Sequence, residues 1–456
     1  YFYKICLFFY KIIKKGLKME KVTVIGGGLA GSEAALQLAR NKIYVDLYEM
    51  RPKKSTQAHK TGNFAELVCS NSLGSYDISN ASGLLKHEAE ELNSVLMSVI
   101  HECKVPSGGA LAVDRELFSK KVTELIKNNK YINVINEEVK SVDVNKPVII
   151  ASGPLTSDEL SDNIKNVFGE DYLYFFDAIA PIVEKDSINF EKAFYMNRYN
   201  KGSADYINCP MTKEEYERFY NVLINAPRIE LKSFEKGAKF FESCLPIEVL
   251  ASRGVDTLRF GPLKPVGLTD ERTGRQNYAV VQLRQDNKAA SLYNLVGFQT
   301  NLKWGSQKEL INTIPGLENA NIVRYGVMHR NTFINSPRLL SKTLQSKKYD
   351  NIFFAGQITG TEGYTESIAS GLAAGINMSK YMKKQKPFIF PNDTMLGALI
   401  NYITFEGHSN FQPINSNWGI LAEMEMDIKT RKNKKLKNEL LANRAISSIK
   451  EFLNKI

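Results

Sequence analysis

The chain has 456 residues, 43% of them hydrophobic and 24% charged. Those values fit a globular protein with two or three domains and a substantial core, and they exclude a chain too polar to fold. The formal net charge of +11 and a pI near 9.1 favour polyanionic partners, nucleic acid or a membrane surface, although lysine-rich composition alone produces the same balance.

Residues 1–18 contain one short apolar run, Ile5 to Tyr10, cut off by Lys11, Lys14 and Lys15. It is too short to span a membrane and no small-residue cleavage site follows it. We read 1–18 as upstream-translated sequence ahead of Met19. From Val22 the chain reads as a buried strand, a glycine turn and a small-residue helix, with Gly26, Gly28 and Gly31 at G-x-G-x-x-G spacing. A second apolar strand, from Val45, ends in Glu49, about 20 residues past the glycines, where a carboxylate meets ribose hydroxyls. Gly26 serves the tight turn, Gly28 the approach to a pyrophosphate and Gly31 close helix–strand packing. The helix N-terminus favours the anion. Together these predict a dinucleotide site.

Next comes Cys69, in Glu66-Leu-Val-Cys-Ser-Asn-Ser, among polar neighbours. By spacing alone it reads as either a structural thiol or a nucleophile. The loop 105–115 pairs Gly108 and Gly109 with Asp114 and Arg115, a turn whose N–H groups and guanidinium suit an anion. Val148 to Pro154 is an apolar strand ending in a small-residue turn. From 166 to 324 the texture changes to dense aromatics, short alternating strands such as Tyr278 to Arg284, and one charged helix from Lys213. That pattern predicts an inserted α+β domain. Cys244, in Phe240-Phe-Glu-Ser-Cys-Leu-Pro, lies within it. Arg330, Asn331 and Asn335 sit in a hydrogen-bonding run that leads back toward the cofactor. Asn351 to Gln357 is another cofactor-type strand, followed by Gly360, Gly363 and a helix rich in Ser, Ala and Gly. Such a distant strand and helix closing a dinucleotide fold point to FAD, with the helix end facing the flavin pyrimidine ring. After 405 the chain turns polar, then basic at Lys429 to Lys437, either a nucleic-acid contact or a solvated face.

The five cysteines form no C-x-x-C and the five histidines no ligand cluster, so neither a metal site nor a disulfide framework is expected, and a reducing cytoplasm fits. The predicted fold is α/β: a two-dinucleotide-fold flavoprotein with a discontinuous Rossmann-like FAD domain and an inserted α+β domain. The expected division is 19–165 and 325–435 for the FAD domain, 166–324 for the inserted substrate domain and 436–456 for a basic C-terminal helix.

Several long runs resemble the folate- and FAD-dependent tRNA uracil-5-methyltransferases, the TrmFO family. They include Ile25 to Ala35, Leu47 to Pro52, Phe64 to Leu73, Gly108 to Arg115, Cys209 to Thr212, Gly261 to Leu268, Val281 to Asp286, Val296 to Trp304, Arg324 to Pro337 and Gly356 to Tyr364. The resemblance covers about 22–420. Small departures fall at Gly74 and at Leu245-Pro246, and neither replaces a cysteine. The resemblance implies Cys244 as the thiolate that adds to uracil C6 and Cys69 as a second catalytic thiol near the flavin. It implies Gly26, Gly28, Gly31, Glu49, Gly356, Gly363 and Tyr364 on the cofactor. It also implies 5,10-methylenetetrahydrofolate as carbon donor and NADPH or NADH as reductant, with no membrane and no obligate protein partner. Arg253 and Arg284 are candidates for a cation near Cys244. The implied substrate is tRNA. Three alternatives stand beside it: the same chemistry on a ribosomal RNA uridine, a wobble-uridine modifying flavoprotein with a GTPase partner, and an RNA-binding protein with a vestigial FAD.

Overall fold

Val22–Ile25 (β1) forms a strand with Val22 and Val24 wholly out of solvent on one face and Ile25 buried on the other, as a strand covered on both faces requires. The computed structural model describes residues 21–454 except 57, 170–172, 179, 201–203, 230–244, 271, 273, 275–276, 327 and 409–410. Five parallel strands make the first sheet. They run in the order Ile352–Phe354 (β16), Val148–Ile150 (β7), β1, Val45–Tyr48 (β2) and Ile132–Ile135 (β6). Val24 lies between Leu47 of β2 and Ile149 of β7, so the glycine strand is central. The edge strand β16 comes from the far end of the chain. The two strands expected around 148–154 and 351–357 are thus β7 and β16, side by side.

The helix Leu29–Arg40 follows β1 and is buried over almost its whole length. It is buried all round because the helix Tyr364–Met382 lies against it. Small residues allow that approach. A Cβ added at Gly371 would come within 2.2 Å of the Ala30 carbonyl oxygen, and one at Gly375 within 3.0 Å of the Ala34 carbonyl oxygen. Two buried carboxylates tie further helices to this body. Glu33 accepts from Ser94 Oγ and from the N–H groups of Val95 and Leu96 at the start of the helix Val95–Glu102. Glu88 accepts from Met395 and Leu396 at the start of the helix Met395–Ile403. Each satisfies N–H groups that a helix start leaves open.

The second sheet is antiparallel. Its order is Phe194–Tyr195 (β10), Tyr206–Met211 (β11), Ala279–Gln285 (β12), Leu292–Leu295 (β13), Ile182–Glu184 (β9) and Ile322–Arg324 (β14). Its core draws only on residues between Ala180 and Ile322 and includes Cys209, Tyr216 and Phe219. The charged helix is Lys213–Asn225, started by a Thr212–Glu215 capping box. Leu173–Ala178 (β8) and Met328–Phe333 (β15) pair antiparallel where the chain enters and leaves this region. A small sheet of Ser72–Ser75 (β3), Ala110–Val113 (β5) and Lys104–Val105 (β4) carries the loop that holds Cys69. Among the described residues no helix is long and apolar enough to cross a membrane. The basic run 429–437 spans a short helix, Ile428–Lys432, and the first turn of the helix Lys434–Leu453.

Candidate active site

The glycine turn after β1 opens a cavity of about 480 Å³. Gly26 has φ +103°, and a Cβ there would meet Ala151 O at 2.4 Å, so the turn is restricted to glycine. A Cβ on Gly31 would sit 1.8 Å from Gly26 O, which puts the helix in direct contact with the turn. At Gly28 an added Cβ would meet nothing within 4 Å, because that position faces the cavity. The helix Leu29–Arg40 starts at Gly28 with no side-chain cap. The helix Tyr364–Met382 starts at Gly363, φ +123°, also with no side-chain cap. Two helix N-termini therefore end on one cavity, both lining it with backbone that side chains do not close off.

Of the residues singled out in the sequence, Gly26, Gly28, Glu49, Cys69, Gly356, Gly363 and Tyr364 line this cavity together. Gly31 lies behind the wall as a packing residue. Cys244 lies outside the described residues. The residues that follow it are described: Leu245 is buried, and the Ile247 N–H donates to the carbonyl of Gln299, itself a lining residue, at 2.7 Å. Among the described residues no group of His, Cys, Asp and Glu is arranged to hold a metal.

Glu49 is held hard. It accepts from Gly27 N at 2.9 Å, Arg51 N at 3.0 Å and Arg51 Nε at 2.9 Å. Burial pushes its carboxyl up, but the Arg51 guanidinium more than offsets this, so the group is held below its ordinary range. Arg51 is itself buried and reaches Glu66 as well. His59, hydrogen-bonded to Thr56 Oγ1, is pushed down to about 4 by burial and then by the Arg51 charge. It is neutral at pH 7.

Asn331 is 1% exposed at the cavity wall, and neither its amide nitrogen nor its amide oxygen has a hydrogen-bond partner. A buried unsatisfied amide is costly and marks a site for a polar ligand or water. The side chain of Arg330 is not among those described, and Asn335 starts the helix Ser336–Leu339 instead of facing the cavity wall.

Cys69 sits in a loop gripped from several sides. Tyr364 Oη accepts from the N–H groups of Cys69 at 2.7 Å and Ser70 at 3.1 Å. Burial, followed by the Cys69 charge, pushes the Tyr364 phenol well up, so it keeps its proton. Arg115 donates to Asp286 in a bidentate pair, with contacts of 2.6 and 2.7 Å, and reaches the Leu67 carbonyl. The anion expected for Arg115 is thus internal. Gly108 N likewise donates to Asp205, so the 105–115 loop docks on the second sheet. Arg284 Nη2 donates to Ser70 Oγ at 2.8 Å and its Nε to Asn71 Oδ1 at 3.2 Å, which puts this guanidinium beside Cys69. Arg253 is exposed beyond the helix Ile247–Ala251. Arg324 donates to the Val68 carbonyl. The sequence did not single out Arg324, Glu66 or His59 as site residues: Arg324 and Glu66 lie inside family-like runs but their contacts are long-range, and His59 lies in no such run. Cys103 and Cys209 are buried in the two cores, where burial pushes both thiols up.

The chain matches the family model described as glucose inhibited division protein A over residues 21–386. It is 57% identical over 436 residues to the methylenetetrahydrofolate–tRNA-(uracil-5-)-methyltransferase TrmFO of Anoxybacillus flavithermus, covering 96% of this chain and 100% of the relative. The protein of the same name from Bacillus cereus is 57% identical over 435 residues, with 95% and 99% covered. Among solved structures, Aquifex aeolicus GidA in its form II crystal superposes with a TM-score of 0.67 at 18% identity, covering 96% of this chain and 77% of that one. The form I crystal gives 0.66. At that identity the likeness speaks for the fold alone.

Proposed function

The chain belongs to the glucose inhibited division protein A family and to its TrmFO methyltransferases, and from that membership we propose how the cavity is used. The protein is a methylenetetrahydrofolate–tRNA (uracil-5-)-methyltransferase that depends on FAD and NAD(P)H. The observation that carries the reading is the double helix start on one cavity, lined by Gly28, Gly363 and Cys69. The relatives are named for tRNA, and a ribosomal RNA target finds no support.

The described residues fit FAD. Open space at Gly28 and the uncapped N–H groups of the helix Leu29–Arg40 suit a pyrophosphate, and Glu49 lies where a ribose would follow. Gly356, Gly363 and Tyr364 suit the ring end, where the second helix start favours negative charge. When bound, FAD supplies the reducing equivalents that turn a transferred methylene into a methyl group, and NAD(P)H renews them.

The rest of the chemistry falls to the chain. Uracil C5 is a poor nucleophile. A cysteine thiolate added at C6 turns it into an enolate able to attack the one-carbon unit. We assign that role to Cys244 and the role of second thiol to Cys69. Support comes from the family resemblance, whose run Phe64 to Leu73 contains Cys69 and which implies Cys244, and from the position of Cys69 at the cavity. We also read 19–165 with 325–435 as one FAD-binding domain and 166–324 as an inserted domain that presents the RNA, with 436–456 as a basic C-terminal helix. The mixed origin of the five-stranded sheet and the separate core between Ala180 and Ile322 support this division. We further propose that the target uridine lies in the T loop and that the enzyme works in the cytoplasm.

The test is transfer of labelled methylene carbon from methylenetetrahydrofolate, with NADPH, to unmodified tRNA and separately to ribosomal RNA. Label in tRNA 5-methyluridine is expected. Label only in ribosomal RNA, or in neither, overturns the reading.

A further inference from the structure

Three arginines converge on five consecutive residues around Cys69. Arg115 reaches the Leu67 carbonyl, Arg324 the Val68 carbonyl, and Arg284 the side chains of Ser70 and Asn71. Arg115 comes from the helix Arg115–Lys127, Arg284 from β12 and Arg324 from β14. Their counter-charges are unequal. Arg115 is neutralised by Asp286. A second carboxylate, Glu66, is bound by Arg51 and by the N–H groups of Lys60 and Thr61. Arg284 and Arg324 make no ion pair among the described residues and bond only to neutral oxygens. Both are half-buried. A guanidinium never gives up its charge in practice, so a sheltered one without an anion is expensive. Something negative should complete the pair.

We propose that this anion is the thiolate of Cys69, and that Arg324 and Arg284 are positioning residues that keep Cys69 ionised at neutral pH. The loop geometry supports it. Arg324 holds the residue before Cys69 and Arg284 the residue after, so the Cys69 segment is held on both sides from two strands of the second sheet. Arg324 and Cys69 also feel each other's charge. The remaining groups facing the loop do not supply a rival anion. Tyr364 stays protonated, His59 is neutral, and Lys60 is a cation whose proton affinity burial and then Arg324 and Arg115 reduce. The inference rests on the reading of Cys69 as a catalytic thiol, for which thiolate is the reactive form.

The test is alkylation of the full-length, flavin-loaded protein by iodoacetamide across pH, with Cys69 followed by peptide mass mapping. An ordinary thiol shows a midpoint near pH ~8.5. The expected midpoint for Cys69 is lower by about one unit or more, a tenfold gain in thiolate fraction below it. Arg324→Met and Arg284→Met should each move it upward at unchanged flavin content, and Arg324→Lys should keep most of the shift. A parent midpoint at or above the ordinary value overturns the proposal without any variant. So does a parent midpoint that neither methionine variant moves, or a Cys69 that stays unreactive at every pH. Failure here is separable from failure of the functional reading. An ordinary midpoint with methyl transfer lost in Cys69→Ser sinks only the arginine role. A lowered midpoint with full transfer in Cys69→Ser sinks only the catalytic role of the thiol.

Discussion

Gly31→Ala and Gly28→Val separate what the glycine turn does for the fold from what it does for a ligand. At Gly31 the added methyl would lie 1.8 Å from Gly26 O and 3.0 Å from its carbonyl carbon. A relaxed C···O approach is about 3.3 Å, so the shortfall is about 1.5 Å. The helix Leu29–Arg40 cannot retreat by that much, because Ala30 is already against Gly371 of the neighbouring helix. Overpacking usually costs about 1–3 kcal/mol, and with backbone as the obstacle on both sides the upper end, about 3 kcal/mol, applies. At Gly28 the backbone has φ −72°, open to any L residue, and an added Cβ meets no protein atom within 4 Å. Gly28→Val should therefore unfold within about 0.5 kcal/mol of the parent. It should nonetheless lose flavin, because the side chain fills the space assigned to the pyrophosphate. The assay is denaturant unfolding of flavin-stripped protein, paired with flavin content of protein as purified. A stable Gly31→Ala, or a Gly28→Val that stays yellow with parental affinity, would refute the argument.

Arg115→Ala strips the partner from buried Asp286 and should cost about 3–5 kcal/mol in unfolding experiments. A loss below about 1 kcal/mol would mean that the pair does not hold the two sheets together. His59 carries a folded value of about 4 against an ordinary 6.5, so between those pH values the unfolded chain binds a proton that the folded one refuses. Stability should then fall as pH drops through that window, by up to about 3 kcal/mol, and His59→Gln should flatten the slope. An unchanged slope in the variant would assign it to other groups. Cys244→Ala should abolish methyl transfer while the protein stays yellow; loss of colour would make that cysteine structural.

Local physics made much of this molecule legible in advance. The run from Val22 to Glu49 predicts strand, turn, helix and strand because each glycine answers a steric demand, and Gly26 and Gly31 both meet backbone as that logic requires. Thr212 and Glu215 likewise announce their helix. The site was only half legible. Tyr364 and Cys69 lie far apart in the chain, and nothing near either one signals that a phenol oxygen will take two loop N–H groups. Arg115 reads as an anion binder by type, yet its anion is Asp286, the residue just past β12. Arg324 opens a family-like run, yet nothing in that run says that it will hold the Val68 carbonyl. Such pairings depend on how two sheets dock, and docking is written in no short window of sequence.

The edge position of β16 also sets a timetable for biosynthesis. The ribosome finishes β7 about 200 residues before it makes β16 and the helix that brings Gly363 and Tyr364 to the cavity. At ~5–20 residues per second that interval is about 10–40 s. Throughout it the glycine turn exists while the wall supplied by Gly356, Gly363 and Tyr364 does not, so flavin capture must wait until the chain is nearly complete. A stalled nascent chain ending before 352 should hold no flavin, whereas one extended past 403 should. The newborn enzyme thus meets its cofactor only after the inserted region has had time to fold.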